Sequence, residues 1–315
     1  MHEHVSVQGD VLGDWGTSRL RLYLVNDGRI AHTCEGPGTA ALAGSSPEAR
    51  LEVLTSLVRP WGADREALPV WLAGMAGSRN GLFEVPCAGL PADCKAWARA
   101  AESRDIGALR ITTAAGIAAR GPADVMRGEE TQVFGALALE PALATGRQLA
   151  VLPGTHSKWI EIADGWIARF RTALTGELYA LLCEKSILLR AAAEAQPDDI
   201  ERDQSAGFDA GVARSADADA ALLPTLFETR AVQVLEGRSR NWAAGFLSGL
   251  LIGHEIRELS ALFDTSGVVS VIGESELSMH YERVLARRGI ESRVFDGGQC
   301  TVAGLMRLQT LGEAP

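Results

Sequence analysis

The stretch VLGDWGTSRLRLYLVNDGRI, residues 11–30, contains the pattern on which the interpretation of the fold depends. A short apolar segment leads into a Gly-rich turn, and leucines at 20, 22 and 24 then alternate with Arg and Tyr, which is the period of a half-buried strand. The triplet Asn26-Asp27-Gly28 is a strong hairpin signal, so a third strand is expected from Arg29. The predicted order is strand, turn, strand, tight turn, strand.

Residues 148–170, QLAVLPGTHSKWIEIADGWIARF, repeat this order. The apolar run 149–152 precedes a turn at 153–157, and the Asp164-Gly165 turn separates expected strands at 159–162 and 166–170. Because the turn chemistry matches as well as the order, a duplication explains both stretches better than two unrelated hairpins do. The sequence therefore predicts an α/β protein with two related halves.

Periodicity predicts further elements after each copy. Helices are expected at 48–58, 133–139, 176–190, 241–263, 276–287 and 300–311, and strands at 268–272 and 291–295. In the helix at 241–263, Gly245, Gly249 and Gly253 recur every four residues, which predicts a smooth stripe where another backbone approaches closely. Residues 195–219 are rich in Asp, Ala and Gly without a clear period, so a surface excursion is expected there.

The chain has 315 residues, of which 47% are hydrophobic, and this suits two domains with sizeable cores. We expect residues 9–145 to form an N-terminal ATPase and sugar-binding type of domain, and residues 146–315 a C-terminal nucleotide-binding one. The helix at 300–311 is expected to pack back on the first domain.

Composition excludes several classes of protein. A net charge of −10 argues against nonspecific nucleic-acid binding, although a local pocket can still be positive. The five cysteines are an odd number at irregular spacing, which fits neither a disulfide framework nor a zinc site. A basic-and-apolar leader and an apolar run of ~18–20 residues are both missing, so we expect a cytoplasmic protein without a membrane span. The oligomeric state stays open, a homo-oligomer included.

Two Gly/Thr/Ser turns, one in each copy, are candidate phosphate sites. Small residues let backbone N–H groups approach a phosphate, and hydroxyls add donors. A carboxylate at the end of the first strand can hold Mg²⁺. The candidates are Asp14, Gly16, Thr17 and Ser18 in the first copy, and Gly154, Thr155, His156 and Lys158 in the second. The first turn leads into a strand, so it is neither a Walker A loop nor a dinucleotide fingerprint.

Other segments offer anion and acid–base chemistry. Gly273 and Ser275 lie where a buried strand opens into a helix, a junction that presents N–H groups to an anion, and 296–298 forms a similar junction. Glu129 and Glu130 open an apolar helix; such carboxylates either complement the helix dipole or include a catalytic base. Arg171 can bind a substrate carboxylate in a bidentate manner or pair with a structural acid. Thr175 is a candidate N-cap.

These segments resemble the actin/hexokinase/Hsp70 superfamily and, within it, the 2-dehydro-3-deoxygalactonokinase family. The stretches that carry the resemblance are GDWGTSRLR from residue 13, AGMAGS at 73–78, MRGEETQ at 126–132, LPGTHSKW at 152–159, FRTALTGEL at 170–178 and FLSGLLIG at 246–253. The resemblance implies two duplicated ribonuclease H-like domains with mixed sheets and a cleft between them. It also implies phosphorylation of 2-dehydro-3-deoxy-D-galactonate at its 6-hydroxyl by ATP and Mg²⁺, in galactonate breakdown.

Residue roles follow from the resemblance as expectations. Asp14 is assigned to Mg²⁺ and catalysis, and the two turns with Gly273 and Ser275 to ATP. The sugar acid is assigned to Ser78, Arg127, Arg171, Thr172 and Glu177. Glu130, Glu129 and His156 are the candidate bases, and similarity of the GEE segment to exopolyphosphatases favours Glu130.

Two alternative functions stay open at this point. An exopolyphosphatase-like phosphohydrolase shares the superfamily and the Glu. A non-catalytic sugar or nucleotide sensor is the other class, although a DNA-binding helical pair or basic arm is not evident in the sequence, which argues against a regulator. In either case the expected partners are small molecules, and neither nucleic acid nor a membrane is among them.

Overall fold

The computed structural model describes residues 9–62, 68–190 and 200–312. This part of the chain forms two compact units. The first comprises the described residues of Met1–Gln148, Ile160–Phe170 and Phe295–Pro315, and the second those of Leu149–Trp159 and Arg171–Val294. The expected domain boundary between residues 145 and 146 stays a prediction.

Strands and helices alternate along the chain. The strands are β1 (Asp10–Trp15), β2 (Arg19–Asn26), β3 (Arg29–Pro37), β4 (Leu68–Gly74), β5 (Ala88–Gly89), β6 (Glu102–Ile106), β7 (Leu109–Thr113), β8 (Ile117–Arg120), β9 (Ala123–Met126), β10 (Arg147–Leu152), β11 (Ser157–Ala163), β12 (Trp166–Ala173), β13 (Val269–Gly273) and β14 (Ser292–Asp296). The α-helices are α1 (Pro47–Val58), α2 (Cys94–Arg99), α3 (Glu129–Leu139), α4 (Thr175–Lys185), α5 (Ile200–Ser215), α6 (Leu222–Leu235), α7 (Arg240–Leu259), α8 (Ser275–Arg287) and α9 (Gly297–Gly312).

The first copy of the repeat builds one half of a mixed sheet with the order β3-β2-β1-β4-β7-β6. β1 is antiparallel to β2 and parallel to β4. The leucines at 20, 22 and 24 are fully buried, as their alternation predicts. Asp27 and Gly28 both have positive φ, 48° and 73°, which is what the tight turn between β2 and β3 requires. The predicted strand order is confirmed.

The second copy builds a sheet with the order β12-β11-β10-β13-β14. Asp164 and Gly165 repeat the turn with φ of 49° and 80°, and the central strand β10 is again parallel to the strand that follows it in the sheet, β13. In each sheet the three strands of the copy lie in reversed order, followed by three later strands in the first sheet and by two in the second. This matching order supports the duplication, and it agrees with the α/β class with mixed sheets that the sequence predicts.

The glycine stripe of α7 lies against another backbone, as predicted, and that backbone is α5. A Cβ on Gly245 or Gly249 would lie within 3.0 Å of the Gln204 or Phe208 carbonyl oxygen of α5. The same holds in reverse for Gly207 of α5 against α7. The two backbones therefore touch directly, and each glycine occupies a place where a side chain does not fit.

The surface excursion expected at 195–219 is wrong for the described part of that range, because α5 occupies Ile200–Ser215 and buries Phe208 and Val212. Residues 195–199 lie outside the described residues. The prediction failed because the buried face of α5 includes Gly207 and Gly211, and glycine normally disfavours a helix.

A second helix pair has the same construction. α3 packs on α9, where a Cβ on Gly135 would lie within 3.0 Å of the Cys300 carbonyl oxygen, and one on Gly304 within 3.0 Å of the Thr131 carbonyl oxygen. α9 thus lies in the same compact unit as α3.

Two helices are shorter than predicted: α4 ends at Lys185 and α7 at Leu259. Among the helices of the described ranges, none is long and apolar enough to cross a membrane.

Gly249→Ala should destabilise the protein by about 2–3 kcal/mol, because the added methyl group meets a backbone carbonyl that cannot rotate away. Chemical denaturation monitored by circular dichroism measures the change. Gly267→Ala is the matched control, since no described heavy atom beyond its chain neighbours lies within 4 Å of that Cβ position. A Gly249→Ala protein as stable as the control would contradict the backbone-to-backbone contact.

Candidate active site

Asp14 lies at the end of β1, next to the end of β4, because the two strands are parallel with Asp14 opposite Ala73. Its carboxylate is mostly buried and 4.0 Å from the Arg21 guanidinium. Gly74 has a φ of 76°, and a Cβ there would lie 2.9 Å from Asp14 Oδ1. Glycine at 74 therefore lets the end of β4 approach this carboxylate more closely than a residue with a side chain would allow.

The first candidate phosphate turn follows β1 directly in the chain. Gly16 N donates to the Arg19 carbonyl at 2.9 Å and closes the turn. Thr17 and Ser18 at its tip are exposed. Gly38 packs beneath them, because a Cβ at that position would lie within 3.0 Å of the Thr17 carbonyl oxygen. The tip of the turn thus presents its side chains to solvent on a closely packed base.

Glu130 is fully buried in the first turn of α3. Its Oε1 and Oε2 accept from Gly128 N at 2.9 and 2.8 Å, and Thr131 Oγ1 donates to Oε1 at 3.2 Å. Burial, with a smaller contribution from the Glu129 charge, raises the pKa of Glu130 to about 7. Such a carboxyl group exchanges its proton near neutral pH, which is the property of a general base.

Gly128 connects this carboxylate to Asp14. A Cβ on Gly128, whose φ is 111°, would lie 3.9 Å from Asp14 Oδ1 and 3.2 Å from the Gly74 Cα. Asp14 and Glu130 therefore both lie close to Gly128. Glu129 is only half-buried, and its Oε2 accepts a hydrogen bond from Arg127 N at 3.0 Å.

Two residues assigned to the sugar acid have partners within this unit. Arg127 Nη2 donates to the Val85 carbonyl at 2.8 Å and lies 3.3 Å from Cys87 Sγ, while Nη1 is buried without a hydrogen-bond partner among the described residues. Ser78 Oγ donates to the Met75 carbonyl at 2.8 Å. In this arrangement Arg127 fastens the segment that follows Ser78.

The second phosphate turn lies in the other unit, against the N-terminus of α4. Glu177 N donates to the Thr155 carbonyl at 2.9 Å, and a Cβ on Gly176 would lie within 3.0 Å of the Gly154 carbonyl oxygen. His156 Nε2 is paired with the Glu177 carboxylate. These contacts bring four predicted site residues of the second copy together with Gly176.

Lys158 points into the protein rather than into solvent. Only 3% of the residue is exposed, and Nζ donates to the His156 carbonyl at 2.9 Å. Its ammonium group therefore lies directly beneath the turn. Arg171 and Thr172, both half-buried, lie near the end of β12, four and three residues before α4 begins with Thr175.

Thr175 is not the N-cap of α4. The N-cap position is Leu174, and the Thr175 hydroxyl donates to the Glu255 carboxylate of α7. A threonine just before a helical pattern predicts a cap, but here a buried acid competes for the same hydroxyl.

The junction between β13 and α8 lies beside the second turn. A Cβ on Gly273 would lie 3.7 Å from the Pro153 carbonyl oxygen. Ser275 is the first residue of α8 and is exposed. The two predicted nucleotide elements of this unit are therefore neighbours.

A pocket of about 260 Å³ opens next to these elements. Its lining comprises Gly154, Thr175, Gly176, Tyr179, Gln204, Ser248, Leu251, Ile252, Glu274, Glu276, Leu277, His280 and Tyr281. Sequence reasoning missed most of these residues, since they come from four helices far apart in the chain. The FLSGLLIG segment was a partial signal, because Ser248, Leu251 and Ile252 belong to it.

The predicted residues thus form two groups, one in each unit. The first contains Asp14, Gly16, Thr17, Ser18, Ser78, Arg127 and Glu130, and the second contains Gly154, Thr155, His156, Lys158, Arg171, Thr172, Glu177, Gly273 and Ser275. In the ranges that the structure describes, no group of three or more His, Cys, Asp or Glu residues could hold a metal ion. A bound Mg²⁺ would therefore take most of its ligands from phosphate and water.

Comparisons with known proteins cover nearly the whole chain. A sequence model described as 2-keto-3-deoxy-galactonokinase matches residues 14–308. A probable 2-dehydro-3-deoxygalactonokinase from Rhizobium meliloti (strain 1021) is 36% identical over 93% of this chain and 94% of its own. The 2-dehydro-3-deoxygalactonokinase of Escherichia coli (strain K12) is 32% identical, with the same two coverages of 93% and 94%.

Comparison with solved structures gives the same family as the sequence comparisons. The crystal structure of a candidate 2-dehydro-3-deoxygalactonokinase from Sinorhizobium meliloti has a TM-score of 0.81 at 32% identity, covering 95% of this chain and 97% of that one. An activator of 2-hydroxyisocaproyl-CoA dehydratase from Clostridium difficile, solved with bound ADPNP, shares the fold, with a TM-score of 0.52 at 11% identity over 97% of this chain and 96% of that one. Because the family model spans most of the sequence and both curated relatives exceed 30% identity, this chain belongs to the 2-keto-3-deoxy-galactonokinase family.

Proposed function

We propose that the protein transfers the γ-phosphoryl group of ATP to the 6-hydroxyl of 2-dehydro-3-deoxy-D-galactonate. The observation that carries the proposal is the buried Glu130 carboxyl, whose pKa is raised to about 7 and which binds the N–H of Gly128, a glycine close to the Asp14 carboxylate. Family membership supplies the substrate class. ATP as phosphoryl donor also favours a cytoplasmic location.

Glu130 is the base in this proposal. The 6-hydroxyl oxygen forms a bond to the γ-phosphorus, the bond from that phosphorus to the β–γ bridging oxygen breaks, and ADP leaves with the electron pair. The hydroxyl proton passes to a Glu130 oxygen. Gly128 N and Thr131 Oγ1 hold the carboxylate during this step.

Asp14 fits a magnesium ion. Glycine at 74 places no side chain against Asp14 Oδ1, and a hard carboxylate oxygen is a ligand that Mg²⁺ accepts. When bound, the ion neutralises phosphate charge. The Arg21 guanidinium lies 4.0 Å from this carboxylate and forms an ion pair with it.

The pocket of the second unit suits the nucleoside rather than the phosphates. Glu274 and Glu276 contribute carboxylates to its lining and would repel a polyphosphate. Leu251, Ile252 and Leu277 offer apolar surface for a base. The phosphates would then extend toward Gly154, where the turn at 153–156 meets the N-terminus of α4.

Incubation with ATP, Mg²⁺ and a panel of epimeric 2-keto-3-deoxy sugar acids tests the function. We expect ADP release that depends on 2-dehydro-3-deoxy-D-galactonate, measured by a coupled assay, with a 6-phosphate product identified by mass spectrometry. Phosphate release without any sugar acid would indicate a phosphohydrolase, and binding without turnover would indicate a sensor. Either result contradicts the proposal.

Glu130→Gln should lower kcat by roughly 10²–10⁴-fold, the range for general acid–base groups. In the wild type, kcat/KM should rise as pH increases through about 7, because the base acts only when deprotonated. This rise of kcat/KM with pH should be absent in Glu130→Gln.

Folding stability gives an independent check on this residue. The folded protein holds the Glu130 proton more tightly than the unfolded chain does, so stability decreases as pH rises from 4.5 to about 7. Glu130→Gln should therefore be no less stable at pH 8. Full activity in Glu130→Gln together with its loss in Glu129→Gln, the matched change one residue away, would move the base to Glu129.

Asp14→Asn should reduce turnover by at least about 10²-fold, because charge neutralisation in phosphoryl transfer is lost. Steady-state rates across a Mg²⁺ series measure it, and melting temperature verifies folding. Near-normal turnover at limiting Mg²⁺ would remove Asp14 from the metal site.

A further inference from the structure

Glu255 of α7 is a buried acid to which the reaction described above gives no role. The residue is 6% exposed. Its Oε1 accepts from Trp159 Nε1 at 2.8 Å, and its Oε2 accepts from Tyr281 Oη at 2.7 Å and from the Thr175 hydroxyl. Ser157 Oγ lies 2.8 Å from Tyr281 Oη. Since Tyr281 donates its only proton to Glu255, Ser157 donates to Tyr281.

The donors belong to three elements around the second phosphate turn. Ser157 and Trp159 lie at the start of β11, immediately after the turn at 153–156. Thr175 is the first residue of α4, and Tyr281 belongs to α8. Thr175 and Tyr281 also line the pocket. One carboxylate therefore connects the turn, the start of α4 and the wall of the pocket.

The directions of these hydrogen bonds give the pocket a defined polarity. A carboxylate only accepts, so the protons of Thr175 and Tyr281 point toward Glu255. Thr175 lines the pocket, and its one hydroxyl proton is directed at Glu255. A hydroxyl held in this way accepts hydrogen bonds from a ligand and does not donate to it.

Stability alone does not account for such a group. Burying a carboxylate is costly, and burial raises the pKa of Glu255 even though several donors oppose that effect. An apolar side chain of similar volume commonly stabilises a core as well or better. A fully satisfied polar network instead fixes one arrangement of the elements it joins.

We propose that Glu255 is a positioning residue for the nucleotide: it locks the turn at 153–156 against the start of α4 and holds Thr175 as an acceptor facing the pocket. The inference rests on the proposed function, in which this pocket takes the nucleoside and the turn takes the phosphates. Glu255 acts through these residues.

Titration calorimetry with a nonhydrolysable ATP analogue and Mg²⁺, without sugar acid, tests the inference on the full-length protein. Glu255→Gln keeps the side-chain volume but places an NH₂ donor opposite the hydroxyls of Thr175 and Tyr281. These hydroxyls would then have to accept a hydrogen bond instead of donating one. We expect at least about a tenfold rise in Kd. In the complete assay KM for ATP should rise by the same factor, while kcat changes less than threefold.

Thr225→Val is the matched control. Thr225 is fully buried in the same unit and lies 3.4 Å from His254, the neighbour of Glu255 on α7, but it does not line the pocket. The Kd of the Thr225→Val protein for the ATP analogue should change less than twofold. An unchanged Kd in folded Glu255→Gln, or equal losses in both variants, would overturn the inference.

If Glu255→Gln does not fold, Trp159→Phe replaces it, because that change removes one donor and leaves the carboxylate. We expect at least a threefold weaker Kd, and an unchanged Kd would overturn the inference. The proposed function fails separately: a wild type that binds the analogue but phosphorylates no sugar acid refutes that function and leaves the role of Glu255 measurable.

Discussion

Direct backbone contact between paired helices is the constraint on which both units depend. α5 meets α7 and α3 meets α9 at glycines where a Cβ would lie within 3.0 Å of a carbonyl oxygen. At such a distance the helix pair has no freedom to slide, because any shift brings a neighbouring side chain into the contact. α3 carries Glu130 and α7 carries Glu255, so each buried carboxylate is held at a depth that the glycines determine.

The two carboxylates are both buried, and what separates them is where they lie. Glu130 accepts from the backbone N–H of Gly128 and from the Thr131 hydroxyl, and burial raises its pKa to about 7. Glu255 accepts from an indole and two hydroxyls, and burial raises its pKa as well. Glu130 is bound to Gly128, which lies close to Asp14, whereas two of the donors to Glu255 line the pocket of the second unit.

Local patterns predicted what local chemistry determines. The hairpins were predicted because Asp27-Gly28 and Asp164-Gly165 need positive φ, which few other pairs adopt readily. α5 was missed because its contact face uses Gly207 and Gly211, residues that count against a helix in isolation. The pocket was missed for another reason: helices far apart in sequence supply its walls, and the FLSGLLIG segment alone carries only part of them.

The choice between Glu129 and Glu130 shows where sequence reasoning stops. Adjacent residues on a helix point about 100° apart, so Glu129 and Glu130 meet different surroundings. The sequence places both acids in the first turn of α3 and gives each the same propensity. Which of them is buried depends on how α3 is rotated, and Gly135 against Cys300 sets that rotation from more than one turn away. The contact that excludes a side chain at 135 is therefore the same contact that turns Glu130, and not Glu129, into the interior.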